Sequence, residues 1–205
     1  ALARALAIDP AVLLLDEPLS SLDPNFREEI RQLLKDIHGQ TAITVLMVTH
    51  DFTEAHFLSQ RVAIINAGRI EQVGSVENVF MRPATPFVAE FVGMKNIFAA
   101  KFNGRVAQVG KLSFQVRRQN SGHSRIAIRP EHIRLFKTRP EDALPNLMEG
   151  IIAYIRNQGV YSDVGVNVSG LEIQAILTTS ELHVMQLFPG QRIFMCVSPE
   201  NIHAI

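Results

Sequence analysis

Cysteine is nearly absent from this chain: Cys196 is the single one in 205 residues. That excludes a disulfide framework and a multi-cysteine metal site, and it fits a reducing compartment. An excess of either charge is missing too. The chain has 20 Lys+Arg against 20 Asp+Glu, with a pI near 7.3. Binding nucleic acid through a bulk positive field needs clustered Lys and Arg in excess, as does a polybasic membrane tether, so neither is expected. No apolar run approaches the roughly 18 residues of a membrane span. The opening ALARALAIDP has no basic region followed by an apolar one, so no signal peptide is expected. Apolar residues, by contrast, are plentiful: 47% hydrophobic content suffices for packed cores, and the length suits one or two domains.

The chain opens without Met, inside a helical pattern from Ala1 to Ile8. This reads either as a processed or tagged start or as a cut from a longer protein. Up to about residue 66, strands and helices alternate. Val12 to Leu15 and Ala42 to Val48 are short apolar runs, as expected of parallel strands buried on both faces. Asp23-Pro24 supplies a helix cap and a first-turn proline. Phe26, Ile30, Leu33, Leu34 and Ile37 follow at helical spacing, predicting one buried face. Gly39 is placed as a C-terminal helix glycine. Asp51 and Glu54 have the spacing of a capping box at the start of a short helix. Arg61–Asn66 and Arg69–Val73, joined by Ala67-Gly68, predict a hairpin. Short helices are expected near 76–80 and 86–91. From about Asn96, short β-type runs separated by turn residues replace the helical pattern and predict a small all-β barrel, with a boundary at 93–96. The expected domains are thus residues 1–93 and 97–205.

Three segments carry candidate chemistry. In Leu13-Leu14-Leu15-Asp16-Glu17-Pro18, two carboxylates end a strand at the edge where open α/β sheets bind ligands. Asp16 there is suited to reach a magnesium ion through water, and Glu17 to face an attacking water. The alternative is an acidic helix cap. Ser20-Ser21-Leu22-Asp23 precedes a helix that Asp23 caps on either reading. Val48-Thr49-His50-Asp51 ends the second strand on the same sheet edge. His50 there serves either to donate to a phosphate oxygen or to cap.

Taken together, LLLDEP, SSLD and a strand ending in THD resemble the Walker B, D-loop and H-loop of ATP-binding cassette (ABC) ATPases. Ala1 to Leu6 resembles the helix after that family's signature loop, and Ile64 to Gly74 the hairpin after the H-loop. The resemblance covers about residues 1–92. It implies a partial P-loop, RecA-like parallel sheet with helices, ATP and Mg²⁺ as cofactors, and a homodimer acting on membrane permease subunits. It also implies an external solute-binding protein as an indirect partner and a peripheral position on the cytoplasmic face of the membrane. It assigns Asp16 to Mg²⁺ through water, Glu17 to general base and His50 to the γ-phosphate. Asp23 and its loop, with Ser21, would reach nucleotide across the dimer. A P-loop is missing from these 205 residues. Gly104 to Lys111 is one residue too long and is followed by Leu112 where Ser/Thr is required. The chain alone is therefore expected neither to bind ATP tightly nor to hydrolyse it.

Ala127 to Ile133, with the sequence AIRPEHI, resembles a motif of the C-terminal TOBE domain of ABC importer ATPases, which implies an OB-like β-barrel. The ending is most similar to molybdate, tungstate or sulfate importers. Thr178, Thr179, Ser180 and Arg129 are either oxyanion contacts or turn and strand-edge polar residues. Arg117-Arg118 reads as a solvated strand end. His123, His132, His183 and His203 lack ligand spacing. Three functions stand side by side. The first is an oxyanion importer ATPase, with sulfate, iron, polyamine or sugar as other cargoes. The second is a regulatory oxyanion-binding module without activity of its own. The third is a chromosome-maintenance ATPase, disfavoured by the lack of coiled-coil heptads.

Overall fold

The computed structural model describes residues 2–41, 43–117, 122 and 124–205; for Leu2 it describes the backbone alone. Ala1 and Ala42, at the starts of an expected helix and strand, lie outside the described residues, as do Arg118 and His123. Contacts divide the chain into two compact units, 1–79 and 80–205.

The first unit runs α1 (Leu2–Leu6), β1 (Val12–Asp16), α2 (Pro24–Gln40), β2 (Thr44–Val48), α3 (Phe52–Leu58), β3 (Arg61–Asn66) and β4 (Arg69–Ser75). It ends within α4 (Val76–Met81). β1 and β2 pair in parallel from Val12↔Thr44 to Asp16↔Val48, as the apolar runs predict. Ala67 and Gly68 both take positive φ, which closes the β3–β4 hairpin in the manner its twist requires.

Three expectations for β1, β2 and α2 need correction. β1 and β2 are not buried on both faces: Leu14 is 70% exposed and Leu46 63%. They form a two-stranded sheet with no further strand on either edge among the described residues, and Leu13, 5% exposed, is the one residue of the pair that is buried. The stripe on α2 is likewise open, with Phe26 and Leu33 exposed and Leu34 buried beside Arg31. Gly39 does not end α2. The helix runs one residue past it and closes on an extended Thr41, whose N–H and hydroxyl both reach the Ile37 carbonyl. The Thr side chain satisfies the terminal carbonyl that a left-handed glycine would otherwise serve.

The second unit adds α5 (Pro86–Phe91), β5 (Asn96–Ala99), β6 (Lys101–Asn103), β7 (Val106–Val109), β8 (Leu112–Gln115), β9 (Arg125–Ile128) and β10 (Arg134–Phe136). It continues with β11 (Met148–Asn157), β12 (Tyr161–Val168), β13 (Leu171–Thr178), α6 (Thr179–Met185), β14 (Arg192–Cys196) and β15 (Ile202–Ala204). Three antiparallel sheets, β10-β14-β11-β12-β13, β15-β9-β5 and β6-β7-β8, wrap one core. The fold class is thus α/β followed by all-β, as the sequence predicts. Phe114, Ile126, Ile152, Val164, Ile173 and Ile193 fill the core. In β13 the buried residues Ile173, Ala175 and Leu177 alternate with partly exposed ones, the period of a strand with one covered face. Each fully buried Val or Ile of this core contributes roughly 1.5–3 kcal/mol. Asn96 ties two sheets together: its side-chain amide pairs with the Gln174 main chain on edge strand β13 at 2.7 and 2.8 Å. Cys196 is buried on β14, and burial raises its thiol pKa.

Candidate functional site

The strand edge assembles the sequence candidates in order. β1 ends at Asp16, opposite Val48. Glu17 continues the ladder by one bond, donating its N–H to the Val48 carbonyl at 2.9 Å. It then leaves the strand with φ of +42°. A non-glycine residue in that region carries a cost of order 1 kcal/mol or more and persists where the surroundings over-determine it. Here they do: Ser20 donates both its N–H and its hydroxyl to the Glu17 carbonyl, at 3.2 and 2.9 Å, and Leu19 is fully buried behind the turn.

That turn aims the Glu17 side chain at the end of β2. Glu17 Oε1 lies 3.1 Å from His50 Nδ1. The carboxylate can only accept, so the ring N–H donates. The two residues are 33 positions apart in the chain. Their side chains are 46% and 74% exposed, so neither is a core residue, and both face solvent together. Asp16 is exposed beside them, and no hydrogen bond or ion pair engages its carboxylate among the described residues.

The loops around this pair are locally anchored. Asp23 caps α2, accepting the Phe26 N–H at 3.1 Å, as expected. Ser21 is exposed in the preceding turn. Arg27 donates to the Leu22 carbonyl at 3.0 Å and stands 4.0 Å from Asp51. Asp51 caps α3, accepting from the Thr53 and Glu54 N–H groups at 2.7 and 3.2 Å. Burial pushes the Asp51 pKa up, but these backbone bonds outweigh it and hold the carboxyl below its ordinary value. The capping box is absent, a correction to the sequence reading. The Asp51 N–H goes to Thr49 Oγ1 at 3.0 Å, and Glu54 turns inward to accept the Thr49 hydroxyl at 2.6 Å. Sequence spacing alone could not show that Thr49 would compete for both groups.

The other candidates lie in the second unit and serve local structure. Thr178 caps α6 in a true capping box with Glu181, whose pKa is lowered by the Thr178 N–H and hydroxyl. Thr179 donates its hydroxyl to the Gly159 carbonyl at 2.7 Å, and Ser180 is exposed in the same helical turn. Arg129 donates to the carbonyls of Val92 and Phe80 and stands 3.5 Å from Glu131. The bonds of Thr178, Thr179 and Arg129 thus go to neighbouring backbone and carboxylates, while Arg129 Nε is buried without a partner among the described residues.

The TOBE domain family matches residues 126–205. A family described as AAA domain, putative AbiEii toxin, Type IV TA system, matches residues 1–54. The molybdate/tungstate import ATP-binding protein WtpC of Pyrococcus horikoshii is 33% identical over 99% of this chain and 59% of its own length. The sulfate/thiosulfate import ATP-binding protein CysA of Halalkalibacterium halodurans is 35% identical over 98% of this chain and 57% of its own length. The spermidine/putrescine import ATP-binding protein PotA of Trichodesmium erythraeum is 36% identical over 82% of this chain and 48% of its own length. The chain spans about half the length of these curated relatives. Among solved structures, the cytoplasmic molybdate-binding protein ModG overlaps 53% of this chain and 93% of its own, with a TM-score of 0.44 and 16% identity. With relatives of one kind aligned to nearly every residue and a TOBE domain at its end, the chain belongs to the family of ABC importer ATP-binding subunits, whose C-terminal part it matches.

Proposed function

We propose that the subunit carrying this chain hydrolyses ATP to drive an importer, with Glu17 as general base and His50 at the γ-phosphate. The 3.1 Å contact between Glu17 and His50 at the end of a parallel strand pair carries this reading. The donor set fits the cofactor in part. Hard carboxylate oxygens suit Mg²⁺, and the unengaged Asp16 carboxylate would hold it through water. A glycine-rich phosphate cradle does not occur within the 205 residues. Bound ATP and Mg²⁺ supply the phosphoryl group and the cation that offsets its charge. Glu17 takes the proton of the attacking water. His50 donates to Glu17 through Nδ1, which orients both groups; Nε2 is left for the phosphate side, where it donates only when the ring carries both protons. Asp23 and Ser21 present the exposed loop that reaches a second subunit.

The names of the relatives support an anionic cargo such as molybdate, tungstate or sulfate, while PotA keeps a polyamine in view. The working assembly is then a homodimer on permease subunits at the cytoplasmic membrane face, fed by an external solute-binding protein. The internal bonds of Thr178, Thr179 and Arg129 favour this reading over an oxyanion module built on those residues. ATPase turnover of the subunit tests the proposal. Glu17→Gln is expected to lower kcat about 100-fold or more while ATP still binds. Near-normal turnover in that variant refutes the assignment. The 205-residue chain alone is expected to show no turnover.

A further inference from the structure

His50 is bracketed by two residues that are pinned down, while its own ring hydrogen-bonds to Glu17. On one side the Thr49 hydroxyl donates to Glu54 Oε2 at 2.6 Å. The same hydroxyl oxygen accepts the Asp51 N–H at 3.0 Å. The Thr49 side chain, just before His50, is therefore tied to the main chain just after it through Asp51 and to the Glu54 carboxylate, using its single donor and one acceptor site. Asp51 is held in turn by its two bonds to the start of α3.

The partner of Thr49 is unusual for its depth. Glu54 is 3% exposed, although it sits in the first turn of a short helix. Burying a carboxylate costs several kcal/mol unless it is bonded. An alternative lay close by, since the Asp51 N–H is the group that a capping-box glutamate takes. Glu54 gives up that surface bond for an interior one to Thr49. Stability of α3 alone does not call for this choice, because Asp51 already caps the helix.

We infer that Thr49 and Glu54 are positioning residues for His50: the buried carboxylate holds the Thr49 hydroxyl, which fixes the main chain around His50 and keeps the imidazole on Glu17. The inference rests on the hydrolytic reading for its purpose, but its geometry can be tested without turnover. Thr49→Val removes both bonds of the hydroxyl, to Glu54 and from the Asp51 N–H, at nearly constant shape. Thr49→Ser keeps the hydroxyl.

The experiment is an NMR cycle on the 205-residue chain, following the ring nitrogens of His50, assigned by their loss in His50→Gln. In the unaltered background, Glu17→Gln shifts these signals because the two groups touch. In a Thr49→Val background the same substitution is expected to shift them by about half as much or less, the signature of coupled neighbours. Thr49→Ser restores the full response. Glu54→Gln, which keeps the buried shape with a weaker acceptor, gives a partial loss and covers the case in which Thr49→Val does not fold. An undiminished response in both Thr49→Val and Glu54→Gln overturns the inference and leaves the hydrolytic reading standing. No response even with Thr49 in place removes the Glu17–His50 pairing itself, and both readings fall with it.

Discussion

Replacing Asn96 by Ala tests how the β-rich unit joins its sheets. Asn96 is 2% exposed on β5, in the three-stranded sheet β15-β9-β5. Its side-chain oxygen accepts the Gln174 N–H at 2.7 Å, and its amide nitrogen donates to the Gln174 carbonyl at 2.8 Å. The side chain thus imitates a neighbouring strand along the free edge of β13. Alanine leaves both Gln174 groups without partners, and each orphaned main-chain group costs about 1–3 kcal/mol. Gln174 is half-buried, so water recovers part of this, and a loss of about 3 kcal/mol is expected. At about 3 °C per kcal/mol for a unit of this size, Tm falls by ~10 °C. Asn96→Asp keeps the acceptor but sets a carboxylate oxygen against the Gln174 carbonyl, and is expected to cost at least as much. The assay is urea unfolding followed by tyrosine fluorescence. The chain has no Trp, and both tyrosines, Tyr154 and Tyr161, lie in residues 80–205, so the signal reports this unit alone. A change under about 0.5 kcal/mol in both variants, at unchanged m, would show that the bridge is incidental.

Further outcomes follow from the same geometry. His203 lies on β15, where burial first, and then the charges of Arg129, His132 and Arg82, lower its pKa below the ordinary 6.5. Both folded and unfolded states are neutral at pH 8. As pH falls through 6.5, the unfolded chain takes a proton that the folded one resists, so stability drops until the folded pKa is passed. Urea midpoints at pH 8 and 5.5 should show this drop, and His203→Gln should reduce it; an equal drop in the variant excludes His203 as the cause. Gly150→Ala places a Cβ 2.6 Å from Val166 Cγ1 and 2.7 Å from the Asn167 carbonyl. Backbone cannot yield cheaply, so a loss of about 2–3 kcal/mol is expected by tyrosine-detected unfolding. Gly39→Ala should do the reverse. It meets nothing within 4 Å inside α2 and is expected to gain about 0.5–1 kcal/mol by thermal circular dichroism. Asp23→Ala should lose about 1 kcal/mol in the same measurement, through the missing cap.

Much of this protein was legible in the residue order. Period and punctuation gave the parallel pair at Val12–Asp16 and Thr44–Val48, the caps at Asp23 and Asp51, and the change to short strands near Asn96. These are local properties, because a strand's alternation or a cap's hydrogen bond involves residues a few positions apart. Glu17 and His50 were legible as chemistry, through their types and their places at strand ends. Their 3.1 Å contact was not, since the two residues are 33 positions apart and meet only through the register of two strands and a left-handed turn at Glu17. Gly39 and Glu54 show the opposite limit. Each fits a motif by spacing, yet Thr41 replaced the glycine cap and Thr49 drew Glu54 inward. Competition among nearby donors and acceptors settles such cases, and it plays out only once the chain has closed on itself. Sequence alone therefore determined which elements form and which side chains carry charge at the strand ends; tertiary structure decided which polar groups meet, because hydrogen bonds between distant residues follow from packing and register rather than from order along the chain.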